Sequence, residues 1–244
     1  MKKRRIALSL FALFAFNVNS FALTLSDIRT QIRRYILDDH ATNRRYSDAE
    51  LLSFINEIQR DFINRTWAIE ASQSTTLTAN TTYYDLPTDF IAINAVNYTD
   101  TSGNVYDLEE KSERYMYQSE PTYASQTGEP TKYFVRHSTS GADQLEISYN
   151  PIPDSNSAGG VVVMDYFNQV TDLSSDSDVP FDGLYTLYPY HEALIYGAVA
   201  RTKLIEGNTE EAQAYQLLYN GVITVAVDRL GRSPNYNPSW GSNP

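Results

Sequence analysis

Apolar residues recur at helical spacing in two stretches near the start of the chain and two near its end, and at strand spacing between them. In the first stretch Ile28, Ile32, Tyr35 and Ile36 form one stripe, with Thr24 or Ser26 placed to cap the helix and Asp27 in its first turn. Arg29, Arg33 and Arg34 fall mostly on the opposite side. After a polar connection over 38–45, Ser47 and Glu50 have the spacing of a capping box. The helix they open carries Leu51, Ile55, Ile58 and Phe62 on its inner face, widened by Leu52 and Phe54.

From Ser72 the period shortens. β-Branched and aromatic residues predict strands over 75–78, 82–86, 90–98, 132–137, 144–149 and 161–170, separated by turn residues such as Thr101-Ser102-Gly103-Asn104 and Gly159-Gly160. A short helix is predicted within 107–119, and Pro121, Gly128 and Pro130 mark an irregular stretch. Helical spacing returns at Pro189, with Tyr190, Leu194, Ala198 and Arg201 on one face and Gly197 permitting close packing. Gly207-Asn208 ends that helix. The last helix, opened by Thr209-Glu210-Glu211, is expected to bury Tyr215, Leu218, Val222 and Ala226, with Val222 to Val227 leaving a strand open for its end. Residues 232–244 hold three prolines and one glycine and cannot build a core, so they are expected to be extended unless a partner orders them.

Neither helix pair can bury its stripe alone. The expected fold is therefore α+β: a helical bundle made by the N- and C-terminal helix pairs, with an antiparallel β sandwich or barrel inserted between them. The corresponding divisions are 23–70, 71–185 and 186–231, with 1–22 before them and the tail 232–244 after.

Residues 1–22 do not fit that scheme. Met1-Lys2-Lys3-Arg4-Arg5 precedes an apolar run from Ile6 to Phe16, and Ser20 and Ala22 occupy the positions a signal peptidase reads. Either this is an export signal, which places the protein in the periplasm or outside the cell, or the working chain starts near Leu23 and the segment is a mis-assigned start.

Charge sharpens the picture. The 244 residues carry 19 basic and 30 acidic side chains, a net charge of -11. The excess has an address: residues 66–200 hold 4 basic and 19 acidic groups, whereas 1–65 hold 11 and 7. Such a middle is unsuited to coating a nucleic acid, which needs lysine and arginine against phosphate. With no cysteine, disulfide scaffolds, thiol catalysis and thiolate zinc sites are excluded.

Several phrases in fixed order carry a resemblance. They are Tyr46-Ser47-Asp48-Ala49-Glu50-Leu51-Leu52 with Ile55-Asn56-Glu57, then Tyr84-Asp85-Leu86-Pro87-Thr88-Asp89-Phe90 and Gly128-Glu129-Pro130-Thr131-Lys132-Tyr133. Leu145-Glu146-Ile147-Ser148-Tyr149-Asn150-Pro151 and Tyr190-His191-Glu192-Ala193-Leu194 complete the set. Over about residues 23–230 the chain resembles the head–tail adaptor, or connector, proteins of tailed bacteriophages. The resemblance implies a non-enzymatic virion component at the head–tail junction, assembled in the host cytoplasm. It implies a ring, commonly of twelve copies, with a portal protein and a downstream tail or nozzle protein as partners and genomic DNA passing through unbound. It implies no cofactor and no membrane. An acidic inner wall would let DNA slide without sticking, and a C-terminal extension holding Arg232, Tyr236 and Trp240 would grip the portal. An export signal departs from that pattern.

The remaining candidates have plain alternatives. Asp172, Asp176, Asp178 and Asp182 offer oxygen ligands for a hard cation, or turns closed on their own backbone. His40, His137 and His191 lie on separate elements, without metal or catalytic spacing. Tyr115, Tyr117, Tyr185, Tyr188 and Tyr190 suit either stacking on a ligand or half-buried, subunit-facing surface. Arg33, Arg34, Arg44 and Arg45 form a basic cluster that reads as a solvated helix end or as a partner for acidic groups of a neighbour. No catalytic or metal set emerges. The rival readings are a secreted or periplasmic module binding a glycan or peptide, and a secreted hydrolase using two carboxylates.

Overall fold

The computed structural model describes residues 22–40, 44–139 and 144–230. Helix α1 (Leu25–Tyr35) is capped by Thr24 rather than Ser26: Thr24 accepts from the Asp27 amide and Asp27 reaches back to Thr24. Helix α2 (Asp48–Thr66) opens with the expected Ser47–Glu50 box. Ile28, Ile32 and Ile36 are buried as expected, but Tyr35 is exposed. Arg33 differs more. It lies buried against the turn that joins α1 to α2 rather than on the solvent side.

The strands are β1 (Glu70–Thr76), β2 (Tyr83–Asp85), β3 (Phe90–Thr99), β4 (Val105–Asp107) and β5 (Glu109–Glu110). After helix α3 (Glu113–Ser119) come β6 (Thr127–Gly128), β7 (Lys132–His137), β8 (Leu145–Asn150), β9 (Ile152–Pro153) and β10 (Val161–Asn168). The helix expected within 107–119 thus shrinks to α3, because 105–110 pair as strands. Two four-stranded sheets form, in the orders β1-β10-β3-β4 and β2-β8-β7-β5, with β6-β9 as a small ladder. Most pairs are antiparallel; β5–β7 and β6–β9 are parallel. Val96, Tyr98, Val162, Met164 and Tyr166 of the first sheet meet Tyr133, Ile147 and Tyr149 of the second in one apolar cluster.

Helices α4 (His191–Ile205) and α5 (Thr209–Leu230) complete the chain's described part. Helix α4 packs against α1, α2 and α5. Its residues 193–195 and 197–200 are all buried, so it has an apolar circumference rather than one stripe, while Arg201 faces out. In α5 the buried positions are Ala212, Tyr219, Ile223 and Ala226; Leu218, expected inside, is exposed. No strand forms at its end. The four long helices share one core with Phe181 and Leu187 of the segment that precedes α4.

Candidate functional site: the clamped acidic loop and the open faces

The sheets return to the helices through residues 169–190, and the acidic loop lies in this segment. Its fastening begins with two amides on the buried face of α2. Asn56 Nδ2 donates to the Leu173 carbonyl at 3.0 Å while the Leu173 amide donates to Asn56 Oδ1 at 2.9 Å. One turn on, Gln59 Nε2 donates to the Thr171 carbonyl at 3.0 Å, and the Phe181 amide donates to Gln59 Oε1 at 2.9 Å. These side chains do what a neighbouring strand would do, satisfying backbone groups that would otherwise be buried without partners. Gln59 holds Phe181 where the backbone is left-handed, with φ of 58° at Phe181 and 54° at Asp182. The Phe181 ring packs 4.9 Å from that of Phe62.

Each loop carboxylate has its own partner. Asp172 pairs with Arg60 and Asp176 with Arg29. Asp182 accepts from the Thr171 amide at 3.2 Å. Asp178 accepts from the Ser174 and Ser175 amides at 2.8 Å, and these bonds hold its carboxyl below the ordinary carboxylate range, the Ser175 amide contributing most. The Asp176 and Asp178 carbonyls in turn accept the Ser26 and Leu25 amides, closing the N-terminus of α1. The loop is therefore a fastening for α1 and α2. Among the described residues no three acidic, histidine or cysteine side chains are grouped as a metal ion requires.

The arginine cluster resolves the same way. Arg33 Nη1 donates to buried Asp38 at 2.9 Å and to the Tyr46 carbonyl at 3.0 Å, and Nη2 donates to Asp48 at 2.7 Å. Arg44 pairs with Asp48, and Arg45 with Glu206 and the Ile36 carbonyl. Only Arg34 of the four projects without a partner among the described residues. The histidines do not meet: His40 and His137 are exposed on separate elements, and His191 is buried at the start of α4. His191 Nδ1 accepts from the Leu23 amide at 3.1 Å, its Nε2 has no partner, and burial pushes its pKa down to about 4.

Exposure divides the tyrosines. Tyr115 and Tyr117 stand out from α3 on either side of buried Met116, and Tyr185 is 78% exposed, while Tyr190 is buried. Another open face lies on α4 and α5, where Leu204 is 61% and Leu217 72% exposed beside a groove of about 290 Å³ lined by Ile58, Gly197, Ala200 and Ala212. Its polar lining is Arg201, Thr209, Gln213 and Gln216, with no nucleophile–base pair. Arg232, Tyr236 and Trp240 lie outside the described residues, as do residues 1–21. Among the described residues no helix is long and apolar enough to cross a membrane.

Sequence reasoning missed Asn56 and Gln59, although their place between Ile55 and Phe62 on an inward face was a signal: polar residues at core positions need partners.

No curated protein sequence matches the chain. Among solved structures, the chain is similar to one from the neck of an empty GTA particle, at 16% identity over 73% of this chain and 76% of that one. The TM-score is 0.29, too low to support an argument. The family described as SU10 adaptor protein matches residues 23–238, from the cap of α1 to beyond the end of α5. The chain belongs to the SU10 adaptor protein family and is a structural, non-enzymatic head–tail adaptor.

Proposed function

We propose that this adaptor assembles into a ring, of twelve copies, between a portal protein and the next tail protein, and that genomic DNA passes through the ring without specific binding. The observation that carries this reading is the family match over nearly all of the helical and β parts. The charge is consistent with it. A middle region with 19 acidic and 4 basic groups gives phosphate no counterion-release gain, so a wall bearing it would not hold DNA back. In this reading the helices over 23–70 and 186–231 form a bundle, residues 71–185 project from it as a sandwich, and the tail 232–244 reaches the portal through Arg232, Tyr236 and Trp240. The head–tail junction of the virion is then the site of action, and family membership gives the export reading of residues 1–22 no support.

The test is native mass spectrometry with negative-stain imaging of the full chain, alone and mixed with the portal protein of the same virion. A twelvefold ring, alone or seated on portal, is expected. A chain that stays monomeric and does not join portal overturns the proposal.

A further inference from the structure

At the far end of the β region the structure holds a second polar cavity, of about 280 Å³, between the β3–β4 turn and the loop that precedes β10. Asp100, Glu129 and Asp154 line it together with Tyr98. Tyr98 is only 1% exposed, yet its hydroxyl has no hydrogen-bond partner among the described residues. Gly160 leaves the room for that side of the ring: a Cβ there would stand 2.6 Å from Tyr98 Cε2 and 2.9 Å from its hydroxyl oxygen. Tyr106 stacks on Tyr98 with ring centroids 6.3 Å apart and planes at 24°, and it is partly open to solvent.

Two of the three carboxylates are fixed by hydrogen bonds, and none is neutralised. Asp100 accepts from Asn104 Nδ2 at 2.8 Å and from the Asn104 and Ser102 backbone amides at 2.9 and 2.8 Å, and Asp154 from the Ser157 and Asn156 backbone amides at 2.8 and 2.9 Å. Such bonds favour the ionised form, and both groups lie below the ordinary carboxylate range. Among the described residues no lysine or arginine pairs with Asp100, Glu129 or Asp154. Three like charges therefore border a space that also offers an unpaired hydroxyl. An anion would be repelled, and the carboxylates are not grouped for a metal ion. A guanidinium or ammonium group fits: it carries the required charge and donates to carboxylate and phenol oxygens.

We infer that this cavity receives an arginine or lysine side chain from a neighbouring copy of the chain. The chain has such donors: Arg34 and Arg114 are exposed and have no carboxylate partner among the described residues. In a ring each copy sets one surface against a different surface of the next, so donor and receiver need not be adjacent on one chain. The neighbouring-copy source rests on the ring reading above; the chemistry of the cavity does not.

Two arms test it. In the first, full-length protein is titrated with N-acetylarginine amide and, separately, N-acetylglutamine amide, following the amide NMR signals of Ser102, Asn104 and Gly160. A saturable shift with the arginine compound alone is expected, weakened at least threefold by Glu129→Gln, whose side chain has no hydrogen bond or ion pair among the described residues, and also by Tyr98→Phe. Equal shifts from the neutral compound, no saturation, or calcium binding that arginine amide cannot displace overturns the cavity as a site for organic cations. In the second arm, Glu129→Gln and the Arg34→Ala and Arg114→Ala variants are compared with wild type for ring content. Loss of rings in Glu129→Gln and in one arginine variant is expected. Unchanged rings with probe binding intact overturn the neighbouring-copy source. Absence of rings in wild type overturns the ring reading and that source with it, while the probe titration still decides the cavity.

Discussion

Gly197 of α4 lies so close to Ile58 of α2 that a Cβ at Gly197 would stand 2.6 Å from Ile58 Cγ2 and 3.1 Å from both Cγ1 and Cδ1. Cγ2 branches directly from the Ile58 Cβ, so it cannot swing away as a chain end would. Gly197→Ala gains roughly 1 kcal/mol of helix propensity but overpacks this crossing by about 1–3 kcal/mol. A net loss of about 1 kcal/mol, or some 2–4 °C in Tm, is expected by thermal unfolding. Placing Ile58→Ala in the same chain should make the glycine substitution neutral or better; equal penalties in both backgrounds would show that Ile58 is not the obstacle.

The Arg33–Asp38 pair is buried on both sides, with an Nη1–Oδ2 distance of 2.9 Å. Removing the cation leaves Asp38 with amide donors but no counter-charge. Arg33→Met should therefore destabilise by about 3–5 kcal/mol, against less than about 1 kcal/mol for Arg44→Ala at the exposed end of the same network. Urea unfolding of the two variants at neutral pH checks this ordering.

Asn56→Ala strips both partners from Leu173. The lost bonds and the stranded backbone groups should cost about 2–3 kcal/mol. Amide exchange gives the sharper readout, since the Leu173 amide should lose its protection while amides in β3 and β10 keep theirs.

His191 makes stability depend on pH. Its pKa is about 4 in the fold against 6.5 for the free side chain, so between those values the unfolded chain binds the extra proton. Stability should be unaffected above pH 6.5, fall as pH drops through that value, and stop falling on this account below about 4. The full effect is of order 3 kcal/mol, and protonation also removes the acceptor for the Leu23 amide. Urea midpoints at pH 7 and pH 5 should differ more for wild type than for His191→Gln.

Deleting residues 232–244 should abolish capture by portal and leave the unfolding transition of the remainder in place. Portal binding that survives the deletion would remove Arg232, Tyr236 and Trp240 from the interface.

The sequence was most readable where the determining interactions are local. Ser47 and Glu50 are three residues apart, and their box announces α2 without any knowledge of the rest. The turn at 101–104 is legible for the same reason. What escaped depends on distant partners. Asn56 and Leu173 are 117 positions apart, so nothing near Asn56 says that it stands in for a strand. The pairing of β1 with β10 is similarly remote. Arg33 looks like a helix-surface cation until Asp38 and the Tyr46 carbonyl fold back over it. Periodicity misplaced Leu218 because the long helix α5 meets its neighbours along Ala212, Tyr219, Ile223 and Ala226 instead. The cavity beside Tyr98 has no linear signature, since its carboxylates come from three separate loops.

The bonds from Asn56 and Gln59 to the 171–181 backbone have a mechanical consequence. A connection that is free except at its ends behaves as a hinge, and its length sets how far the joined parts can swing. Here the return segment is pinned at Thr171, Leu173 and Phe181 to one face of α2. It therefore acts as a bracket: a load on β10 passes into α2 through side-chain amides before the slack of the chain is taken up. The stiffness of the joint between sheets and helices is set by two residues of α2 rather than by the length of the segment that connects them.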